Sequence, residues 1–445
     1  MDWIVAFLII APAVWLLWRR STWLLDYSLI VYAFNRFVRR VVDWQAGAFN
    51  PFSPISLTPL IVSGLLFFPF LVNWKRIHPG VQRILLCFYV AISYGILVGV
   101  VQNGFGAIYA GADFLVPVFL IGYAASQSIT AKIADRWMTN AAWIAVVVAA
   151  YGWYQYLTIP PWDAFWVKSV GFVGYLGQLV PTQMTVFSTL AERGPCASLL
   201  ALTALPMAVV ARWRTKLGWP AVILVLSAVL LTLVRSSLIL VVIGVFLFPV
   251  INGGRGAARV FVLAIFVAIS VMLLGPMVPG VDRIAERFQT IQNIREDGSF
   301  KGRLEILEYG VGLVAGNPIG YGIGSSGLAA RITSGGDTKA HGLIGDNGYL
   351  ELMTSLGWPG SIVLLAAFVM LWGRIASHLK LGARSDLLSL GRTYLVVFAI
   401  AMYAGNFFAG VWIMWVALGL AINPSGWTPR KKPPVVQAEA PVVTP

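Results

Sequence analysis

The stretch 221–250, AVILVLSAVLLTLVRSSLILVVIGVFLFPV, is apolar throughout except around Arg235. Long apolar runs without strict alternation favour helices over the strands of a membrane barrel. Each half of the stretch is too short to cross a bilayer unless the chain turns at Arg235. The stretch therefore predicts two membrane helices joined by a tight turn that carries one arginine.

The whole chain has a similar composition. Hydrophobic residues make up 58% of it and charged residues only 11%, whereas a soluble domain carries roughly 25% charged residues. In lipid, each backbone N–H and C=O must be paired within its own segment, which helices achieve. We predict an all-α fold, namely a polytopic membrane helical bundle of about 11–13 transmembrane helices with one large, partly helical periplasmic loop.

Four parts follow along the chain. They are N-terminal transmembrane helices over 1–277, a periplasmic loop with active-site elements over 278–348, C-terminal transmembrane helices over 349–428 and a disordered tail over 429–445. The loop is the longest polar segment, and long structured loops beside a bundle often carry sites. Two helical patches are expected in it, 281–293 and 302–315, the second stopped by Gly316-Asn317-Pro318.

The net charge is +14. In a membrane chain this predicts cytoplasmic basic loops and not nucleic-acid binding. The clusters within 75–83, 132–136, 212–216, 255–259 and 374–384 all fall on one side, together with the C-terminal tail. We therefore expect a multi-pass protein of a bacterial inner membrane with a periplasmic loop and a cytoplasmic C-terminus. Arg36, Arg39 and Arg40 break this pattern and suggest that 21–45 is an amphipathic interfacial helix or a wrongly assigned span.

The sequence indicates neither a metal site nor a cofactor. Its three histidines include no pair at i, i+4, so the spacing typical of a zinc site is missing. Cys87 and Cys196 lie far apart in apolar or glycine-proline surroundings, where packing is the usual role of cysteine.

Three arginines are candidates for binding an anion, because a guanidinium matches phosphate oxygens in a bidentate fork. Arg235 lies at the predicted outer turn, although an arginine can also snorkel to the interface there. Arg193 precedes Gly194-Pro195 at a helix start, where free N–H groups favour anions; its alternative is an ion pair with Glu192. Arg303 opposes the dipole at the start of the loop helix, and its alternative is a solvated charge.

The segment that precedes the helix at Tyr349 contains two candidate general bases, His341 and Asp346. His341 has a suitable unperturbed pKa of about 6.5, and Asp346 can accept a strong hydrogen bond from a hydroxyl. Asp346 can equally be the N-cap of that helix. Farther upstream, aromatic residues offer either a glycan vestibule or an interfacial belt; these are Trp153, Tyr154, Tyr156, Trp162 and Trp166.

The sequence resembles the O-antigen ligase and polysaccharide polymerase superfamily over roughly residues 180–375. The elements that carry the resemblance are Phe187-Ser188-Thr189-Leu190, Thr232-Leu233-Val234-Arg235, Arg303 with Asn317-Pro318-Ile319-Gly320-Tyr321-Gly322-Ile323-Gly324, Asp346-Asn347-Gly348-Tyr349-Leu350 and Gly357-Trp358-Pro359-Gly360. Asp346 stands where ligases usually carry histidine, and Thr185 stands where an arginine often precedes the Phe-Ser-Thr element.

The resemblance implies a GT-C-like, inverting and metal-independent glycosyltransferase with an undecaprenyl-diphosphate-linked glycan as donor. It makes Arg235 and Arg303 diphosphate-binding or loop-supporting residues, with Arg193 as a substitute for the missing arginine. Either Asp346 or His341 then activates the acceptor hydroxyl. Asn347, Tyr349 and Tyr321 become substrate-binding candidates.

Three functions fit these observations. The first is a polymerase that joins undecaprenyl-diphosphate-linked oligosaccharide repeat units into exopolysaccharide. The second is a ligase that transfers a glycan to a lipid or protein acceptor. The third is a flippase or transporter of lipid-linked oligosaccharide, against which the long loop argues. Membrane lipids, a chain-length regulator and export machinery are the further partners expected.

Overall fold

The fold is that of a computed structural model of the chain and is described for residues 1–171, 176–252, 298–326, 347–380, 386–406 and 408–423. The side chains of 298–304 and 379–380 are not part of the description. Within these ranges the regular structure is helical, and extended pairing is limited to one isolated bridge between Gly177 and Met184. The predicted all-α fold is confirmed.

Fifteen α-helices can be described in these ranges. The first eight are α1 Asp2–Trp18, α2 Trp23–Ala46, α3 Thr58–Gly64, α4 Phe67–Val72, α5 Pro79–Asn103, α6 Phe105–Ser126, α7 Ala131–Thr158 and α8 Pro161–Ser169. The others are α9 Arg193–Val209, α10 Trp219–Leu231, α11 Arg235–Ile251, α12 Gly298–Gly316, α13 Gly348–Lys380, α14 Asp386–Ala401 and α15 Trp412–Ile422. As predicted, the loop helix α12 contains 302–315 and ends before Asn317-Pro318.

Several helices are suited to a membrane. Among the described residues, four spans are long and apolar enough to cross one: Pro54–Val72, α5, α6 and Gly348–His378. Helices α7 and α8, bent by 83° at their junction, count as a fifth if taken as one broken span, and five shorter apolar helices accompany them. The chain is therefore a polytopic membrane protein, while the total of about 11–13 crossings stays a prediction.

The core lies where α5, α6, α13 and α15 pack together. Aromatic rings fill its centre: Phe88 contacts Phe368 at a centroid distance of 5.2 Å, and Phe408 contacts Trp415 at 5.1 Å. Small residues bring the helices close, since a Cβ added at Gly419 would lie 2.7 Å from the Cβ of Ala124. Such close backbone approach is typical of helix packing in membranes.

One end of the bundle collects basic side chains, and we call it the basic end. There Arg212 bridges Asp135 of α7, at 2.9 Å, and Asp386 of α14. Arg136 of α7 pairs with Asp26 of α2 at 3.0 Å. Helices α2, α7 and α14 thus all begin at this end. Two of the five predicted basic clusters, 132–136 and 212–216, thus lie at the same end of the bundle.

Helix α2 runs from the basic end into the opposite half of the bundle. Its Arg39 and Arg40 are 4% and 0% exposed. Arg39 pairs with Asp43, and Arg40 pairs with Asp163 of α8 at 3.1 Å. The suggestion that 21–45 is an amphipathic interfacial helix stays a prediction, but these two charges are satisfied by carboxylates inside the protein and not by water.

Candidate functional site

A polar cavity of about 510 Å³ lies at the end of the bundle opposite the basic end. Three charged side chains line it: Arg36 of α2, Asp113 of α6 and Glu192 just before α9. Asn406, from the segment between α14 and α15, adds an amide. A volume of this size falls in the range of small-molecule sites, roughly 300–1,000 Å³. We call this space the polar cavity.

Three helices begin at the wall of the polar cavity. Gly194 and Pro195 belong to the first turn of α9, Ser236 to the first turn of α11, and Trp412 is the first residue of α15. The first N–H groups of a helix have no partner within it, and the helix dipole places partial positive charge there. The cavity is therefore suited to an anionic ligand.

Thr232 shapes the turn that carries Arg235. Its hydroxyl donates to the carbonyl of Val229 at 2.7 Å and accepts the N–H of Val234 at 3.3 Å. Leu233 takes a left-handed conformation with φ 55°, which is uncommon for a residue other than glycine. The Thr-x-x-Arg element thus ends α10 and starts α11 within four residues, as the sequence predicted for this turn.

The structure brings two of the three predicted arginines to one end of the bundle. Arg193 is the first residue of α9, and Arg235 is the first residue of α11. Both are half-buried, and their immediate neighbours line the polar cavity. Arg303 lies in α12, which packs against α13 through Ile306 and Leu350; its side chain is outside the described part.

Residues 185–190 form what we call the inner segment. Phe187 and Ser188 within it are fully buried. The Gln155 Oε1 accepts the N–H groups of both residues, at 3.0 and 2.8 Å. Arg40 donates to the carbonyl oxygens of Ser188 and Leu190, the latter at 2.7 Å. The inner segment therefore enters the bundle because a glutamine and an arginine satisfy its backbone.

The pair Arg40–Asp163 belongs to a larger network of polar groups. Asp163 accepts hydrogen bonds from Gln155 Nε2 at 2.6 Å and from the hydroxyl of Tyr151 at 2.8 Å. The guanidinium of Arg40 also lies 4.8 Å from the ring centroid of Phe187. An arginine from α2 thus contacts the Phe-Ser-Thr element, where Thr185 replaces the arginine expected from the resemblance.

Residues 317–326, which we call the glycine loop, insert between α5 and α13. The N–H of Tyr321 donates to Thr354 O at 2.7 Å, and that of Ile323 donates to Gly95 O at 2.9 Å. Helix α13 is broken at Gly357 by a φ of 59°, and a Cβ there would lie 2.2 Å from Ile319 O. The break in α13 at the Gly-Trp-Pro-Gly element thus leaves space for the backbone of the Pro-x-Gly-x-Gly element.

The residues on both sides of 327–346 are anchored near each other. Ser326 Oγ donates to Glu351 Oε1 at 3.1 Å, and Gly348 N donates to Met402 O at 2.7 Å. The side chain of Glu351 also bonds Asn406, which lines the polar cavity. The candidate bases His341 and Asp346 lie outside the described residues. The described residues on either side of them, Ser326 and Asn347, lie beside this cavity.

The three predicted substrate-binding residues have structural contacts. Asn347 Oδ1 accepts the N–H groups of Tyr349 and Leu350 at 3.1 and 3.2 Å. Helix α13 begins at Gly348, so its N-cap is Asn347. The interpretation of Asp346 as the N-cap would have required the helix to begin one residue earlier. Tyr349 donates its hydroxyl to Ala399 O at 2.5 Å. The carbonyl of Tyr321 accepts from Asn103 Nδ2 at 2.8 Å.

An apolar groove of about 450 Å³ runs between α13 and α14. Its walls are almost entirely aliphatic and aromatic, with Leu352, Ile362 and Leu365 of α13 opposite Phe398 of α14. Met402 lines the groove, and Ala404 and Gly405, two and three residues later, line the polar cavity. The two spaces are therefore separated by a single turn of chain.

The upstream aromatic residues mostly serve packing. Tyr156 and Trp166 are buried, at 4% and 6% exposure. Trp162 donates to the Tyr151 hydroxyl at 2.6 Å, and Trp153 donates to Ser227 Oγ at 2.9 Å. Tyr154, in contrast, is 46% exposed, so the choice between a glycan vestibule and an interfacial belt stays a prediction.

Sequence reasoning missed the two charged residues that line the cavity from α2 and α6. Arg36 looked like part of a water-facing basic patch, and Asp113 lies inside an apolar run. The available signal was that an ionisable residue within a membrane helix is costly and needs a reason. In the described part of the chain, no group of three His, Cys, Asp or Glu residues could hold a metal ion.

Fold and site together define a class of protein: an α-helical, polytopic membrane protein with a polar cavity beside an apolar groove. Residues 220–365, from α10 into α13, match the family model described as O-antigen ligase (Wzy_C). The matched region contains the Thr-x-x-Arg turn, Arg303, the glycine loop and residues 346–349. This match over residues 220–365 supports the resemblance to the O-antigen ligase and polymerase superfamily that the motifs suggested. No curated protein gives a match to the sequence.

Proposed function

We propose that this protein is a glycan polymerase that joins undecaprenyl-diphosphate-linked repeat units into exopolysaccharide at the periplasmic face of the bacterial inner membrane. The family match over residues 220–365 supports a glycosyltransferase in general. The observation that carries the finer proposal is the juxtaposition of the polar cavity and the apolar groove. A lipid-linked sugar diphosphate has the same two parts, a charged head and a long apolar tail.

The head fits the polar cavity for electrostatic reasons. The starts of α9, α11 and α15 contribute partial positive charge, and Arg193 and Arg235 stand at two of these starts. Arginines and helix N-termini in a site that excludes water stabilise the charge that develops on a leaving diphosphate. The apolar groove fits the tail, since it lies between helices and is lined by hydrocarbon.

The reaction follows from these positions. An acceptor hydroxyl attacks the anomeric carbon of the donor sugar, and the bond from that carbon to the phosphate oxygen breaks. The electron pair leaves with the lipid diphosphate, a new glycosidic bond forms with inversion, and the proton of the hydroxyl passes to a base. Asp346 or His341 is our proposed base, because the residues flanking 327–346 lie beside the cavity.

The orientation rests on charge. The basic end collects Arg136 and Arg212 together with the starts of α2, α7 and α14, and basic loops remain in the cytoplasm. The polar cavity at the opposite end then opens to the periplasm, where lipid-linked repeat units are joined.

The decisive experiment uses purified protein in nanodiscs with a defined lipid-diphosphate repeat unit. A ladder of products, unaffected by a chelator and formed without any ion gradient, is the expected result. Arg235→Ala and Arg193→Ala should each reduce the rate at least about a hundredfold, whereas Arg19→Ala, at the exposed end of α1, should not. Transport of the substrate without any new glycosidic bond would overturn the proposal.

The family description itself favours ligation as the second candidate. The two reactions share donor, leaving group and inversion, and they differ in the acceptor. Supplying a lipid or protein acceptor together with the repeat unit distinguishes them: a ligase adds one glycan per acceptor, and a polymerase extends the lipid-linked chain.

A further inference from the structure

Helix α2 carries three arginines near the polar cavity, and two of them have clear structural tasks. Arg39 donates to Ser56 Oγ and to Asn50 O, both at 2.6 Å, and pairs with Asp43. Arg40 holds the inner segment and pairs with Asp163. Both guanidinium groups therefore have protein partners and stabilise the fold.

Arg36, one turn before Arg40, differs from both. It lines the polar cavity and is half-buried. Within the described residues, its guanidinium makes no hydrogen bond and no ion pair within 4.0 Å. A buried or half-buried arginine normally has such a partner. The guanidinium of Arg36, a side chain that lines the cavity, thus has no hydrogen-bond acceptor in the described part of the chain.

Asp113 of α6 also lines the cavity. Its carboxylate is near enough to interact electrostatically with Arg36, although it lies beyond ion-pair distance. A cavity lined by both a guanidinium and a carboxylate favours a ligand of mixed character. A phosphate can bind the guanidinium in its bidentate fork, and sugar hydroxyls can donate to the carboxylate.

A bare diphosphate has no hydroxyl to offer the carboxylate. It would gain from Arg36 but be repelled by Asp113, since both carry negative charge. A glycosylated diphosphate meets the same repulsion, but its sugar hydroxyls can offset it by donating to the carboxylate. The arrangement therefore discriminates the glycosylated lipid, which is the substrate, from the sugar-free lipid diphosphate, which is the leaving product.

We propose that Arg36 is a further diphosphate-binding residue of the donor site, and that Asp113 makes this site prefer a glycosylated diphosphate over a sugar-free one. Both residues lie outside residues 220–365 that match the family model. The inference rests on the proposed function, because it takes a lipid-linked sugar diphosphate as the occupant of the polar cavity.

The test measures equilibrium binding to the full-length protein in nanodiscs with two probes: undecaprenyl diphosphate and the same lipid diphosphate bearing an oligosaccharide. Arg36→Gln should weaken both affinities at least about tenfold, and Arg36→Lys should recover part of the loss. Asp113→Asn should tighten binding of the sugar-free lipid and weaken binding of the glycosylated one. Arg19→Gln, at the far end of the bundle, is the matched control and should bind as the wild type does.

The outcomes separate the two proposals. If the wild type binds neither lipid, the proposed function fails. If the wild type binds both and Arg36→Gln binds them equally well, the Arg36 inference fails while the proposed function stands. Should Arg36→Gln not yield a monodisperse protein, Asp113→Asn decides instead. Unchanged preference between the two lipids in that variant overturns the inference, and the predicted reversal supports it.

Discussion

Gly99 of α5 and Gly322 of the glycine loop are in direct backbone contact. A Cβ built on Gly322 would lie 2.2 Å from both the N and the Cα of Gly99, and Gly322 has a φ of +76°. Steric space and backbone conformation therefore both require glycine at position 322. This contact holds the Pro-x-Gly-x-Gly element against the bundle.

Gly322→Ala should destabilise the protein by roughly 2–5 kcal/mol, from overpacking and left-handed strain together. The measurement is the apparent melting temperature of the purified protein in detergent. Gly312→Ala is the matched control, because nothing lies within 4 Å of a Cβ built at this helical position of α12. That change should be neutral or slightly stabilising. Equal melting temperatures for the two variants would contradict the close packing.

The ion pair Arg40–Asp163 lends itself to a double-mutant cycle. Both side chains are completely buried, so Arg40→Met or Asp163→Leu alone leaves an uncompensated charge and should cost about 3–5 kcal/mol. The double variant should cost clearly less than the sum of the two single variants. Unfolding in denaturant provides the free energies.

The exposed pair Arg212–Asp386 serves as the comparison for that cycle. Its side chains are 48% and 29% exposed, so its removal should cost only about 0–1 kcal/mol. Additive effects at Arg40 and Asp163, resembling those of the exposed pair, would disprove the role of the buried network.

Asn347 can be tested for two separate roles. As the N-cap of α13, it should be replaceable by aspartate with little loss of stability, whereas Asn347→Ala should cost about 1 kcal/mol. Thermal stability and transferase rate should be measured on the same samples. Full recovery of both in Asn347→Asp assigns the residue to capping; recovery of stability with loss of rate assigns it to substrate.

The apolar groove predicts a dependence on the length of the lipid. Ala399→Trp places a large ring in the groove and should raise the KM for an undecaprenyl donor, while a donor with two isoprene units should be used as before. Leu97→Trp, on an exposed position of α5 outside the groove, is the control. Unchanged KM for the long lipid in Ala399→Trp would remove the groove from the substrate path.

Local features were predictable from the sequence because their causes are local. The break of the apolar stretch at Arg235 predicted the turn, and Gly316-Asn317-Pro318 predicted the end of α12; both are confirmed. The N-cap of α13 was misplaced by one residue, since Asp346 and Asn347 are both good caps and only backbone geometry distinguishes them.

Long-range partners were not predictable. Arg40 and Leu190 are separated by 150 residues, and no pattern within a helix indicates which distant carbonyl an arginine will meet. The charges of α2 were therefore taken to face water. For the same reason the polar cavity, built from six separate parts of the chain, could not be assembled from single motifs.

The buried pair between α2 and α8 also constrains how the protein is made. Arg39 finds Asp43 within its own helix, but the ribosome delivers Arg40 to the membrane long before Asp163 exists, and an unpaired arginine costs roughly 2.5–3.5 kcal/mol at the centre of a bilayer. Stable insertion of α2 into the bundle must then wait until α7 and α8 have been synthesised. The amino-terminal quarter of this protein is thus completed late, after later helices have supplied its counter-charge.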